Sequence, residues 1–349
     1  MNNLSLAIWT QKEISFEGGR KEVHFNVWNI NDHHALDVGI MLPREPFEGN
    51  EASLYIYFPF ECEIKDLYNC LTSDDKSLVS VFNCFFHISS CQNGVKCKSV
   101  KIDEKTQFCL TSFKNSKIEG YKDGLVFEIN PIIHTGSCEN DNKCDNYYIR
   151  FRVEGDCIKS SYFVSEKESS RLENFTEDIS FLDFRYNDRR ILPDDVAHNI
   201  SEKGCLIDLD LIQFFYICHA SYKIEQTKKE INNMRSLEEH LWDGYFPDLV
   251  ADKQGTSILT SLKHCFLYFF GIGKPDAAIA YQRKTTPKKD EKLTDFSFLI
   301  RLSYQRFHIR KALITFIIAC AFSFGISFLA SMAYDKWMPS STLDDAQRG

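Results

Sequence analysis

Hydrophobic and polar residues alternate along most of the first 165 residues. The alternating stretches are rich in aromatic and β-branched side chains, as is typical of strands that bury one face. They include KEVHFNVWNI (21–30), SLYIYFPF (53–60), SLVSVFNCFFHIS (77–89) and NYYIRFRV (146–153). Gly18-Gly19 and Asn93-Gly94 supply turn signals between strands. This part of the chain predicts an antiparallel sandwich or barrel.

The spacing of apolar residues changes after Pro193. Residues 205–242 contain no proline, and their apolar side chains recur at helical intervals, which predicts one or two helices. A further apolar stretch, SILTSLKHCFLYFFGIG (257–273), is short and interrupted by charge, so it favours a core or interfacial helix. The segment QRKTTPKKDEK (282–292) is typical of an exposed charged linker.

The longest apolar run lies at 312–334 (ALITFIIACAFSFGISFLASMAY). It carries no charge over 23 residues, and as a helix it would be roughly 35 Å long, enough to span a bilayer. Arg301, Arg306, Arg310 and Lys311 precede it, whereas only Lys336 and Arg348 are basic after it, alongside Asp335, Asp344 and Asp345. The positive-inside bias therefore predicts a single-pass membrane protein whose N-terminal domain is cytoplasmic. Residues 1–25 lack the features of a secretory signal, which agrees with that orientation.

These patterns together define the predicted fold class. It is a mainly β N-terminal region, an antiparallel sandwich or barrel with a duplicated hairpin unit, followed by an α-helical segment and one C-terminal transmembrane helix. The predicted divisions are a β-rich domain (1–165) with repeat units 70–97 and 109–144, a loop and strand connection (166–204), a helical region (205–281), a charged linker (282–311), the transmembrane helix (312–334) and a short tail (335–349).

Charge and cysteine content limit the classes of partner and of site that the chain is expected to have. The formal charge of −8 argues against nucleic acid as the main partner, because phosphate binding needs clustered lysine and arginine. The chain has 13 cysteines. In a reducing cytoplasm structural disulfides are disfavoured, so metal ligation and simple burial become the competing explanations for these thiols.

Some of the cysteines belong to an internal repeat. Residues 76–97 match residues 123–144 at nine of 22 positions, and both copies contain His-x3-Cys-x5-Cys. We interpret this as a strand-plus-hairpin unit used twice. An upstream cysteine in a CLTS sequence completes one histidine and three cysteines in each copy, a tetrahedral set for a structural zinc ion.

The candidate zinc ligands are Cys70, His87, Cys91 and Cys97 in the first copy and Cys109, His134, Cys138 and Cys144 in the second, with Cys157 as an alternative when the downstream cysteine is used. Burial of the thiols on duplicated strands is the competing interpretation, and redox chemistry is a third. Four protein ligands would leave no open position on the ion. The site would therefore be structural and not catalytic.

A row of polar side chains on strand 146–153 suggests an anion site. Tyr148, Arg150 and Arg152 alternate onto one face, while the opposite face is apolar core. With Arg185 these side chains could bind an anionic small ligand or a partner carboxylate, because guanidinium groups bind oxyanions bidentately. The alternative is a solvated outer face of the sheet.

The predicted transmembrane helix carries small and weakly polar side chains at every fourth position, which favours helix–helix association and a homo-oligomer. These residues are Thr315, Ala319, Ser323, Ser327 and Ser331. The sequence thus predicts a membrane-anchored binding or sensing module that does not need enzyme activity, with the lipid bilayer and an unknown protein partner or anionic ligand as partners. A membrane-attached hydrolase with dispersed active groups and a passive scaffold or adaptor subunit are the alternatives.

Overall fold

The computed structural model describes residues 4–12, 14–16, 18–30, 33–48, 52–73, 75–82, 87–90, 98–101, 107–118, 121, 124–132, 145–165, 177–227, 231–242, 244–246, 278–305 and 309–337. The chain divides into two compact units. The first consists of Met1–Ser165 and Ser180–Ser303, and the second of Glu166–Ile179 and Tyr304–Gly349.

The strands are β1 (Ala7–Gln11), β2 (Glu22–Ile30), β3 (His33–Pro43), β4 (Leu54–Phe58), β5 (Lys65–Asp66), β6 (His87–Ser90), β7 (Lys98–Lys101), β8 (Gln107–Leu110), β9 (Phe113–Ile118), β10 (Leu125–Pro131), β11 (Asn146–Glu154), β12 (Phe163–Ser165), β13 (Glu177–Tyr186), β14 (Gly204–Leu206), β15 (Leu211–His219), β16 (Tyr222–Thr227), β17 (Asn233–Ser236), β18 (Ala278–Thr285) and β19 (Phe296–Gln305). The helices are α1 (Glu45–Glu48), α2 (Tyr68–Ser73), α3 (Asp75–Phe82), α4 (Asp156–Tyr162), α5 (Asp194–Glu202), α6 (Glu239–Trp242) and α7 (Ile309–Trp337).

The described strands form three sheets. The largest has the order β17-β18-β15-β2-β3-β11-β8-β7-β6, with β5 paired to β11, and the others have the orders β14-β1-β4-β10-β9 and β12-β13-β19-β16. Most neighbouring strands are antiparallel, but in the largest sheet β15 pairs with β2 and β8 with β11 in parallel. The largest sheet is therefore mixed, where the sequence predicted an antiparallel arrangement.

The central strands β2, β3 and β11 are buried on both faces. One face joins a large core that includes Phe25, Val38 and Phe151. The other face joins a second core, in which Trp28 packs with residues of α2, α3 and α6 and with Phe246. Side chains at alternating positions of these strands thus enter two different hydrophobic layers.

The predicted fold class is confirmed in outline, since the chain is mostly strand and ends in an apolar helix. Three local predictions are wrong, and one of them is the strand expected at 77–82, where helix α3 lies. The other two concern later parts of the chain. Residues 211–219 and 222–227 form β15 and β16 where helices were expected, and β18 and β19 cover much of the predicted linker 282–311. The β-rich unit consequently extends to residue 303, beyond the predicted boundary at 165.

The described parts of the repeat do not share one structure. In the first copy Asp75–Phe82 is helical, whereas the equivalent part of the second copy lies in strand β10. The predicted hairpin at Asn93-Gly94 is confirmed in its flanking strands, because β6 and β7 pair antiparallel. The positions of the second copy that correspond to β6, residues 134–137, lie outside the described residues, so the hairpin of that copy stays a prediction.

Helix α7 contains the apolar run of the sequence. Its window Phe316–Tyr334 covers 19 residues with a mean hydropathy of 2.1, and none of it is buried. Large side chains such as Phe322 and Phe324 are exposed. The helix is long and apolar enough to cross a membrane.

Candidate functional site

A chain of buried polar side chains crosses the central strands on the face that also carries Trp28. It comprises Glu22 and His24 on β2, Asp37 on β3, Tyr148, Arg150 and Arg152 on β11, and Tyr245, and we call it the buried polar network. It lies wholly within the first unit.

Strand register brings the network together. Arg152 lies opposite Asp37, and Arg150 lies opposite Gly39. On the other side of β3, His24 also lies opposite Gly39. Because side chains two residues apart share a face, all the charged groups of these strands point into the same layer.

Gly39 leaves the space that the network needs. A Cβ atom at this position would overlap the hydroxyl of Tyr148 and would lie 2.9 Å from Nη1 of Arg150. The missing side chain lets Tyr148 and Arg150 lie across β3 towards His24. The glycine is therefore a packing requirement of the network.

The carboxylate of Asp37 is the centre of the network and is completely buried. It accepts hydrogen bonds from Arg152 Nε at 2.5 Å, Trp28 Nε1 at 2.8 Å and the Tyr245 hydroxyl at 2.8 Å. Arg150 Nη2 lies 3.6 Å from the same carboxylate. Burial alone would raise the pKa of Asp37, but the charge and hydrogen bond of Arg152, the charge of Arg150 and the hydrogen bond of Tyr245 hold it below its ordinary value.

Arg150 and Arg152 each make several contacts with neighbouring side chains. Arg150 donates from Nε to the Tyr245 hydroxyl at 2.5 Å and from Nη1 to the Tyr148 hydroxyl at 2.8 Å. Arg152 donates from Nη1 to the Tyr245 carbonyl at 3.2 Å, and its guanidinium lies 4.8 Å from the centre of the Phe246 ring. Burial would lower the pKa of each arginine, but Asp37 and the tyrosines raise it. Both side chains therefore stay charged.

The network ends at Glu22 on one side. Glu22 pairs with Arg20 at 2.5 Å and with His24 Nε2 at 3.0 Å, and His24 Nδ1 lies 3.4 Å from the Tyr148 hydroxyl. Burial would raise the pKa of Glu22, but the hydrogen bond and charge of His24 lower it. The carboxylate remains ionised inside the protein.

At its other end the network borders a cavity. Arg152 Nη1 lies 3.6 Å from the half-exposed carboxylate of Glu154. Glu154, Asp156, His33, His34 and Phe246 line a cavity of about 370 Å³ beside it. Its chemistry suits a cationic group, since two carboxylates and two imidazoles face it.

The expectation of an exposed arginine row is wrong. Tyr148, Arg150 and Arg152 are only 1%, 2% and 3% exposed, because α2, α3, α6 and Phe246 cover this face of the sheet. The opposite face of β11 is core, as predicted. Anion binding by the three side chains stays a prediction, and within the described structure both guanidinium groups pair with the single carboxylate of Asp37.

Arg185 lies apart from this group, on β13. It pairs with Asp183 at 2.9 Å and with Asp188 at 3.3 Å. The hydrogen bond to Asp183 raises the pKa of Arg185. Its guanidinium thus already has two carboxylate partners.

The proposed zinc ligands are only partly described. The thiol of Cys70, on α2, donates to the Gly244 carbonyl at 3.3 Å, Cys109 is buried on β8, and the Cys157 thiol donates to the Glu154 carbonyl at 3.7 Å. His87 lies on β6, and its side chain is outside the described part. The remaining candidates, also outside it, are Cys91, Cys97, His134, Cys138 and Cys144. Within the described ranges no three ligands cluster, so zinc stays a prediction.

The small residues of α7 are placed on the apolar helix. Ala319, Ser323, Ser327 and Ser331 are exposed, and Thr315 lies in the helix with its side chain outside the described part. The Ser323 hydroxyl donates to the Ala319 carbonyl at 2.9 Å, which satisfies it within the helix. Such internal bonding is compatible with an apolar surrounding.

Asp37, Tyr245 and Trp28 were not predicted from the sequence as members of a site. The signal for Asp37 was present, because it is a lone carboxylate inside the apolar run HHALDVGIMLP. A buried charge on such a strand requires a cationic partner. Comparison with known protein families and with characterised proteins found no match to this chain.

Proposed function

We propose that this chain is a single-pass membrane protein whose β-rich unit is a cytoplasmic binding or sensing module. The observation that carries this proposal is the exposed apolar window Phe316–Tyr334. Apolar side chains in such a continuous surface would be unfavourable in water, and a bilayer removes them from it. The window also has the length that a bilayer core requires.

The charges beside the helix support the orientation. Arg306, Arg310 and Lys311 precede the apolar run, and Asp335 follows it. Basic residues are retained on the cytoplasmic side, which assigns the β-rich unit to that side. The abundance of cysteines agrees with a reducing compartment.

Association through α7 is the second part of the proposal. Its stripe of small residues lets two helices approach closely, and the large phenylalanine side chains of the other faces meet lipid. In the most specific form, binding to the β-rich unit rearranges associated helices and opens the membrane, as in a gated effector.

The anchor is tested in membranes from cells that express the full chain. We expect the protein to resist extraction at alkaline pH, and a deletion of residues 312–334 to release it. An unrelated apolar span of equal length at the same place is the matched control and should restore anchoring. Protease added to the outside of intact cells should leave the β-rich unit undigested. Release of the full chain by alkali, or digestion of that unit, would overturn the proposal.

The same control separates the alternatives. Ion leakage from liposomes that contain the full chain, absent with the unrelated span, is expected of a gated effector. A passive scaffold would function equally with either span. Turnover of a substrate by a chain without residues 312–334 would instead favour a membrane-attached enzyme.

A further inference from the structure

A second cavity, which shares no residue with the buried polar network, lies at the edge strand β14. It is formed by α5, by the turn before that helix and by β14. Its volume is about 350 Å³, within the range of small-molecule sites.

The cavity walls are mainly apolar. Leu192, Ala197, Ile200 and Leu206 contribute most of the lining, and the exposed thiol-bearing residue Cys205 lies at its edge. Helix α5 explains this composition, because Val196 and Ile200 pack it onto the core beneath. The less buried Ala197 and the short strand β14 leave a recess beside these residues.

One positive charge lies at the rim. Arg189 lines the cavity, and no acidic side chain is among the residues that line it in the described structure. The neighbouring carboxylate of Asp188 is occupied by Arg190 at 2.8 Å and by Arg185 at 3.3 Å. No described carboxylate pairs with Arg189. An apolar recess with one guanidinium that has no carboxylate partner among the described residues is complementary to an apolar ligand that carries a single anionic head.

We infer that this cavity binds a fatty acid, with the acyl chain against Ala197, Ile200 and Leu206 and the carboxylate on Arg189. The apolar walls remove the chain from water, and the guanidinium donates hydrogen bonds to the carboxylate. The inference does not depend on the membrane anchor or on the function proposed above, since every residue that carries it belongs to the first unit.

The position of Cys205 allows a direct measurement. The full chain in phosphatidylcholine nanodiscs is alkylated with a small maleimide, and mass spectrometry follows the rate at the Cys205 peptide. We expect dodecanoate to slow this alkylation, because a chain in the recess covers the thiol. Dodecyltrimethylammonium has the same tail and the opposite charge, so it controls for partition into the nanodisc and should not protect.

Two substitutions test the two halves of the site. Arg189→Gln should weaken protection by dodecanoate about fivefold, the effect of losing one exposed ion pair. Ala197→Phe fills the recess and should abolish protection. Lys203→Gln, an equal loss of charge at an exposed position beside the recess, is the matched control and should leave protection unchanged.

Circular dichroism of each variant establishes that the unit is folded. Equal alkylation with and without dodecanoate in the unsubstituted chain would overturn the inference. So would protection that survives both Arg189→Gln and Ala197→Phe, or equal protection by the cationic detergent.

Discussion

The hydroxyl of Tyr245 donates a hydrogen bond of 2.8 Å to the carboxylate of Asp37, across 208 residues of sequence. The same hydroxyl accepts a hydrogen bond from Arg150. Tyr245 thus joins the anion and a cation of the buried polar network, and it does so from outside the sheet that carries both. Substitutions in this network can therefore measure how buried charges are stabilised in the β-rich unit.

Asp37→Asn should destabilise the protein strongly. The substitution keeps the shape of the side chain but leaves Arg150 and Arg152 buried without their shared anion. Loss of one partner of a buried ion pair costs about 3–5 kcal/mol of unfolding free energy. Denaturant unfolding of the full chain in nanodiscs, followed by tryptophan fluorescence, measures this. Glu291→Gln, at an exposed position, is the control and should change little; equal stability of the two variants would contradict the assignment of Asp37 as the central anion.

Acid should weaken the fold through the same carboxylate. The folded pKa of Asp37 lies below its ordinary value, so its contribution to stability is complete above about pH 4 and is lost as pH falls through the folded pKa. Glu22 has the same direction of shift and adds to the effect. Unfolding measured from pH 7 to pH 3 should show stability falling at the acid end. The difference between the unsubstituted chain and Asp37→Asn should narrow there, and a constant difference would count against this account.

Gly39→Ala should disrupt the network by overpacking. The added methyl group would overlap the Tyr148 hydroxyl and crowd Arg150, and such strain costs about 1–3 kcal/mol. Removing that hydroxyl should relieve part of the strain, so Gly39→Ala combined with Tyr148→Phe should lose less stability than the two single changes added together. A double-mutant cycle by thermal unfolding measures this coupling. Additive losses would show that the two positions do not compete for space.

Bulky substitutions on the small-residue stripe of α7 should weaken self-association. We expect Ser323→Leu with Ser327→Leu to reduce crosslinked dimers in liposomes, because leucine keeps two helices further apart. Phe322→Leu with Phe324→Leu keeps both residues large and apolar and is the matched control. If both pairs behave alike, the stripe is not the contact.

Zinc analysis tests the cysteine prediction. If each copy of the repeat binds one ion, the purified chain should contain about two zinc ions, and Cys91→Ser and Cys138→Ser should each remove about one. Inductively coupled plasma mass spectrometry gives the content, and Cys205→Ser is the control because that residue lies outside both sets. A chain purified from zinc-supplemented cells without bound metal would leave burial and redox chemistry as the explanations.

The accuracy of the structure predicted from the sequence differed between elements of the fold, and the reasons are physical. Successive side chains of residues 146–153 point to opposite faces of β11. The two faces were therefore assigned correctly, because this alternation holds in every strand. What covers a face depends on distant residues, so the exposure of Arg150 could not be read from its own strand. The cover includes Tyr245, which comes from a segment 95 residues away.

Two wrong elements show the limits of periodicity. β15 is a nearly continuous apolar run, LIQFFYICH, because both of its faces are buried, and such a run does not distinguish strand from helix. In α3 the opposite error occurred, since SLVSVF is rich in β-branched residues. It is nevertheless helical, with Leu78 and Val81, three residues apart, packed into one core. In α3 tertiary packing overrode local preference.

The distance in sequence between Asp37 and Tyr245 also sets an order of events during synthesis. The ribosome completes β2 and β3 long before it adds residues 211–219, which pair with β2 in parallel, and the tyrosine follows later still. Until then the charged side chains of β2 and β3 remain exposed to water, and the second core cannot form. The second core of this protein therefore closes only late in its translation.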